Sequence, residues 1–234
     1  MQRIFLFIPG ILGILFFSCN GNETGNSRDI NPDAVFLDYK VWTEEDKEEV
    51  TVHLQFRMDG PEGTPLILHE PSKVTLDGEL IPVDSARLSG AYYEAQKPAA
   101  AFAGRHTIVF TDGNGKEYRE DFEFIPFKLS PDVPPVILRG DIVFNFSGLE
   151  PVDHIRVLMT DTSFTSDDMN EIDTVRDGRM LIHANKLSAL SNGPINLQFY
   201  KEIEKPVKNS TKEGGTWFIS YGIKREFVLI DPVK

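Results

Sequence analysis

Cysteine is the first scarcity: the 234-residue chain has one, Cys19. A single thiol excludes an internal disulfide, so any folded body must be held by its apolar core. Histidine is also sparse. His53, His69, His106, His154 and His183 never fall within five residues of one another, which excludes the paired-ligand spacing of helical zinc sites. Basic charge is in deficit, with 24 Lys and Arg against 36 Asp and Glu and a net charge of −12. That field repels phosphate backbones and anionic headgroups, so nucleic acid is excluded as a partner. A long apolar run is missing. Residues 4–17 are broken by Pro9, Gly10 and Gly13 and fall short of the roughly 20 residues that cross a bilayer as helix. Catalytic signatures are missing too. There is no Gly-x-Ser-x-Gly elbow, no Ser-x-x-Lys and no phosphate-binding glycine loop before a helix, so the expectation is a non-enzyme with no cofactor and no metal.

What is present begins at the N-terminus. Arg3 supplies a positive charge, residues 4–17 are apolar, and Ser18 and Cys19 follow. A basic start, a short apolar run and a small residue describe a secretory signal peptide. Phe16-Phe17-Ser18-Cys19 resembles, in relaxed form, the lipobox of bacterial lipoproteins, as found in the Bacteroidota. The resemblance implies cleavage before Cys19, a lipid such as palmitate on its sulfur, and anchoring to a membrane. Asn20 rather than Asp follows the cysteine, and Glu23 is the one acid close by. Within that resemblance these residues point to the outer membrane and its periplasmic face.

Residues 20–34 are rich in Gly and Asn and have little to bury, which predicts a flexible tether with a reach of roughly 50 Å. Beyond it, apolar residues recur with period two. Val50, Val52, Leu54, Phe56 and Met58 alternate with Thr51, His53, Gln55 and Arg57, and Val35, Leu37, Tyr39 and Val41 share a parity. This is the pattern of half-buried strands. Asp112-Gly113-Asn114-Gly115 supplies a tight turn, predicting a hairpin over 105–124. A second set follows: Ile142, Phe144 and Phe146; Ile155, Val157 and Met159; Ile195, Leu197 and Phe199; and Trp217 to Leu229 with a bend at Gly222. Between the sets, residues 126–135 hold four prolines and read as a stiff linker. Helix evidence is confined to a turn or two over 184–190.

The resulting organisation is a signal peptide (1–18), a lipid-anchored tether (19–34), a β-sandwich (35–126), a Pro-rich linker (127–135) and a second sandwich (136–234). The run from Ala103 to Tyr118 resembles the last two strands of bacterial Ig-like modules, which implies two Ig-like antiparallel sandwiches in tandem, an all-β chain. Such modules bind, space or assemble, and the fold does not set the function.

Candidate binding residues come from the strand pattern. Of Tyr92-Tyr93, and of Phe199-Tyr200, one ring must face away from the core. Trp42 lies just beyond the apolar parity of its strand. Exposed rings suit stacking on sugars or packing on a partner. The polar stretch 202–215, with Lys205, Lys208 and Lys212, is long for a hairpin loop and is a further candidate partner site. Acidic residues gather over 161–173 as a solvated loop or, less simply, a cation cluster. Asp84-Ser85-Ala86 and Asp173-Thr174-Val175 fit an Asp-Ser/Thr-apolar glycosylation pattern of the Bacteroidota. The expected function is a lipid-anchored, non-catalytic binding or assembly module of the envelope with a protein or glycan partner. The alternatives are a carbohydrate-binding accessory lipoprotein of a glycan-uptake system, or a fimbrial or adhesin subunit that exchanges a strand through 35–42 or 223–231.

Overall fold

A computed structural model describes residues 24–86, 90–163 and 167–232. The signal peptide and Cys19 lie outside the described residues. The first half holds strands β1 (Gly25–Asn26), β2 (Val35–Glu44), β3 (Glu49–Met58), β4 (Thr64–Ile67), β5 (Lys73–Leu76), β6 (Glu79–Leu80), β7 (Val83–Ala86), β8 (Gly90–Pro98), β9 (Gly104–Thr111) and β10 (Glu117–Phe124). The second holds β11 (Lys128–Leu129), β12 (Val136–Leu138), β13 (Ile142–Ser147), β14 (Val152–Asp161), β15 (Met169–Arg176), β16 (Arg179–Ile182), β17 (Gly193–Pro206) and β18 (Gly215–Ile230). The remaining regular elements among the described residues are three 3-10 turns, Pro32–Ala34, Ala99–Ala101 and Ala184–Leu187. The period-two residues thus make strands as expected, and the helical stretch at 184–190 shrinks to a single turn.

The hairpin β9–β10 closes on Asp112, which the sequence marks as a turn. Its Oδ1 accepts from the backbone N–H of Asn114 and of Lys116, and Gly115 takes the positive φ of 81° that a side chain resists. β10 alternates strictly: Tyr118, Glu120, Phe122 and Phe124 are buried, while Glu117, Arg119, Asp121 and Glu123 are exposed. β10 ends its sheet, and charged side chains of this kind on an edge strand disfavour pairing with another chain.

Two cores form. The first lies between a sheet containing β8, β3, β2 and the start of β18, and a four-stranded sheet in the order β10-β9-β5-β6. Rings from the two layers meet: Phe56 and Phe110 have centroids 4.6 Å apart, and Phe122 and Trp217 4.8 Å. The second core forms where the larger sheet continues through β17, β14 and β15 and folds over as β16, β13 and β11. There Phe199 packs edge-on to Phe144 at 5.0 Å and Phe146 at 5.1 Å.

One sheet therefore runs through both halves, and the hairpin β17–β18 is its spine. Ile195, Leu197 and Phe199 at one end of that hairpin serve the second core, and Val207, Trp217 and Ile219 at the other end serve the first. Residues 215–222 of β18 pair in parallel with Leu37–Glu44 of β2. The sandwich expected over 35–126 is thus completed by chain from beyond residue 200. The linker expected at 127–135 is likewise engaged, since Phe127 and Leu129 are buried in the second core. Tyr221 packs against both cores, with Phe124 at 6.1 Å on one side and Phe127 at 5.5 Å on the other.

The expected tether also changes. Gly25–Asn26 pairs in parallel with Leu66–Ile67, the buried Ser27 accepts from the backbone N–H of His69, and Asn31 caps the turn at Pro32. Residues 25–34 lie on the first core, because Ile30 and the backbone of 25–27 find partners there.

Candidate functional site

Strand parity decides which aromatic side chains reach solvent. Odd residues of β2 point inward and even ones outward, so Tyr39 and Val41 are buried and Trp42 is 38% exposed. In β8 the inward set is Ala91 and Tyr93. The Tyr93 hydroxyl accepts from the backbone N–H of Leu68 at 2.6 Å, so Tyr93 is a core residue and leaves the candidate surface. Tyr92 turns outward with Glu94 and Gln96, whose polar side chains share its parity.

Register then assembles a row. Trp42 stands opposite Thr51, and Thr51 opposite Gln96; His53 stands opposite Glu94. The diagonal Trp42–His53–Tyr92 crosses three strands. The His53 ring lies 6.0 Å from Trp42 and stacks on Tyr92 at 4.9 Å with 23° between planes. Glu94 Oε2 lies 3.3 Å from His53 Nδ1. Gln96 donates to the other Glu94 oxygen at 2.9 Å and accepts from the Thr51 hydroxyl at 3.0 Å. Desolvation first, then Asp84 and Glu94, raise the pKa of the Tyr92 phenol. His53 is the member that sequence reasoning misses. Alternation puts it on the polar face of β3, but its neighbours come from strands far away in the chain.

Beside Trp42 a groove of about 390 Å³ is lined by Thr51, Gln96, Glu44, Glu48 and Glu49, with Lys47 the one cation. Glu44 is already engaged, 2.6 Å from Lys224 Nζ and 3.2 Å from the Tyr200 hydroxyl. Tyr200 is half-buried. Its ring covers Gly222, where an added Cβ would fall 2.5 Å from the ring. Burial first, and Glu44 next, raise its phenol pKa. Tyr200 thus ties the second half to β2 rather than standing free. In a larger groove of about 600 Å³ at Asp46, Asp132, Lys224 and Arg225 both cations are paired, Arg225 with Asp132 at 2.5 Å and with Glu45 at 2.7 Å, and Lys224 with Glu44.

The three lysines do not form a loop cluster. β17 extends to Pro206, so the connecting turn is 207–214 and it is fastened down. Asn209 donates from its backbone to the buried Glu120 and from its side chain to the Arg119 carbonyl. The Thr211 hydroxyl donates to the Val35 carbonyl. Lys212 pairs with Asp33 at 2.6 Å, Lys205 sits 6.0 Å over the Trp217 ring, and Lys208 is exposed.

The acidic stretch 161–173 divides between tasks. Asp161 accepts from Ser163 and from the Ser191 backbone, and Asp173 pairs with Lys186. Among the described residues no group of three or more His, Cys, Asp or Glu side chains could hold a metal ion. His106, which shares the inward parity of Ile108, rests on Phe102 at 3.9 Å with Asp77 and the Phe102 carbonyl each 2.7 Å from a ring nitrogen. Of the glycosylation triplets, Ser85 is exposed on β7 and Thr174 is half-buried in β15.

No protein-family model matches the chain, and no curated protein matches it in sequence. Solved structures with a loose likeness include the following three. The fibronectin(III)-like modules of Clostridium thermocellum CbhA are 11% identical over 84% of this chain and 94% of theirs, with a TM-score of 0.24. DIP-gamma IG1+IG2 is 10% identical over 80% of this chain and 94% of that one, TM-score 0.24. The complex of Dpr11 IG1 with DIP-gamma gives 10%, 80% and 96%, TM-score 0.22. Superpositions this loose carry no argument, and the assignment to an all-β, sandwich-like class rests on the strands themselves.

Proposed function

We propose that this protein is a non-catalytic binding module of the cell envelope, anchored by lipid on Cys19 to the periplasmic face of the outer membrane. Its binding face is the outer surface of β2, β3 and β8, and its two layered units are Ig-like in kind. The observation that carries the reading is the Trp42–His53–Tyr92 row beside an open groove, on the face of β2, β3 and β8 turned away from the first core.

The geometry supports an orientation as well. Five residues separate Cys19 from Gly25, at most ~20 Å of extended chain, so the lipid holds the first core near the bilayer instead of on a long leash. The chain enters at the Val35 end of β2, where Asp33 meets Lys212 and the Glu213 backbone. The groove lies at the Glu44 end, roughly 30 Å away along the ten-residue strand, and so faces off the membrane. A strand-exchange role gains no support: β2 is paired on both sides, by β3 and β18, and β18 by β17 and by β2 and β12.

Two measurements test this reading. Cells fed an alkyne palmitate analogue should label the wild-type chain and not the Cys19→Ser variant; an unlabelled wild type removes the anchor. A photo-crosslinking residue placed at position 42 in the cell should give adducts that the same residue at the exposed position 121 on β10 does not. Equal or absent adducts at 42 remove the binding face.

A further inference from the structure

We propose that the groove beside Trp42 is a sugar-binding site that takes a neutral glycan. The proposal rests on the binding-face reading and names the chemistry of its ligand. A pyranose ring presents an apolar C–H face ringed by hydroxyl groups. It needs one flat apolar wall and several hydrogen-bonding groups that can accept. The groove offers that combination. Trp42 is its single aromatic wall, and Thr51, Gln96, Glu48 and Glu49 supply hydroxyl, amide and carboxylate groups. Its volume of about 390 Å³ lies within the roughly 300–1,000 Å³ range of small-ligand clefts.

The wall is held in place before any ligand arrives. His53 is outside the groove lining and lies 6.0 Å from the indole; Tyr92 stacks on His53, and Glu94 fixes the imidazole. Gln96, held by Thr51 and Glu94, is likewise fixed. A side chain already ordered loses little freedom on binding. Glu48 and Glu49 are exposed and pair with no cation among the described residues. Their carboxylates remain free to accept from sugar hydroxyls, and such charge-assisted bonds are stronger than neutral ones.

Charge and polarity select against other ligands. The lining sets three carboxylates, one of them (Glu44) paired with Lys224, against the single Lys47, and with the net charge of −12 this acidic surplus disfavours uronic acids, sulfated sugars and phosphates. Protein hot spots are anchors seated in well-packed, fully desolvated pockets, whereas Trp42 is the one large apolar residue of this polar lining.

The two tryptophans make the test direct. Trp217 is 0% exposed and Trp42 38%, so ligand-dependent fluorescence and acrylamide quenching report on Trp42. The chain from residue 20 onward, which holds every residue of both cores, is titrated with neutral gluco-, xylo-, galacto- and manno-oligosaccharides and with polygalacturonate. At least one neutral series should shift emission to shorter wavelength and protect Trp42 from quenching, while polygalacturonate does neither. Trp42→Ala should weaken calorimetric binding of that sugar at least about tenfold with an unchanged circular dichroism spectrum. Glu48→Gln, on an exposed turn, should weaken it less. Silence across the neutral panel overturns the proposal, as do binding that survives Trp42→Ala and equal binding of polygalacturonate. If the sugars fail while position 42 still yields crosslinked adducts in the cell, the binding face stands and the sugar assignment falls.

Discussion

Cutting the chain at the proline-rich segment tests the shared spine. A fragment of residues 24–126 contains every strand of the apparent first half, yet it lacks Val207, Trp217 and Ile219, which are at most 5% exposed in the first core. Burying a tryptophan removes about 150–250 Å² from water, which at about 25 cal/mol per Å² is worth roughly 4–6 kcal/mol. Ile219 and Val207 add about 1.5–3 kcal/mol each. The whole stability of a domain is about 5–15 kcal/mol, so the fragment forfeits a share comparable to the total. It also loses the ladder that pairs β2 with Gly215–Gly222, exposing an edge with Tyr39 and Val41 beneath it. Trp217 Nε1 and the Asn209 backbone no longer reach Glu120, whose carboxylate then lies at an open core margin. The fragment should show collapsed amide dispersion by NMR and no cooperative urea transition. The chain from residue 20 to the end should melt in one calorimetric transition whose van't Hoff and calorimetric enthalpies agree. A folded 24–126 fragment, or two separate transitions in the long chain, would refute the shared-strand account.

Other perturbations have definite signs. The Tyr39 hydroxyl is fully buried without a hydrogen-bond partner among the described residues, and burial, with Glu120 nearby, drives its pKa far above the ordinary phenol range. Tyr39→Phe should therefore stabilise the protein by about 1 kcal/mol, read as a higher urea midpoint at constant slope; a loss of stability means that the hydroxyl has a partner after all. Gly222→Ala places a methyl 2.5 Å from the Tyr200 ring and should cost about 1–3 kcal/mol. Adding Tyr200→Ala should make the glycine change nearly neutral, and additive losses in the double-mutant cycle argue against the contact. Burial raises the Asp153 pKa, but the hydrogen bonds from Lys201 and the His154 backbone outweigh it, and the net shift is downward. A depressed folded-state value means that its contribution is complete above the unfolded pKa of about 3.9 and is lost as pH falls through the lower folded one. Asp153→Asn should be less stable at neutral pH, and its stability should fall less steeply than wild type below about pH 4. Parallel acid limbs for the two proteins would contradict that assignment.

Parity along single strands was legible because side chains alternate within a strand whatever surrounds it. Trp42 outward and Phe199 inward follow from their neighbours, and the Asp112–Gly115 turn follows from residues that take unusual backbone angles. Even the Tyr92-Tyr93 choice had a signal, since Glu94 and Gln96 share the parity of Tyr92. The export leader and Cys19 remain readings of sequence alone. What period two cannot convey is which strand lies beside which. The row of Trp42, His53 and Tyr92 exists because β3 sits between β2 and β8 in one register, and local pattern carries no information on that pairing. The same limit hid the crossing of β18 into the first core. Its apolar residues read identically whether they face one core or two, and only the long-range ladder to β2 assigns Trp217 and Ile219 to the first. Composition and alternation therefore determined an acidic, all-β chain without disulfides. Tertiary pairing, through contacts more than 150 residues apart such as Tyr200 to Glu44, decided that its halves share a sheet and where its exposed rings meet.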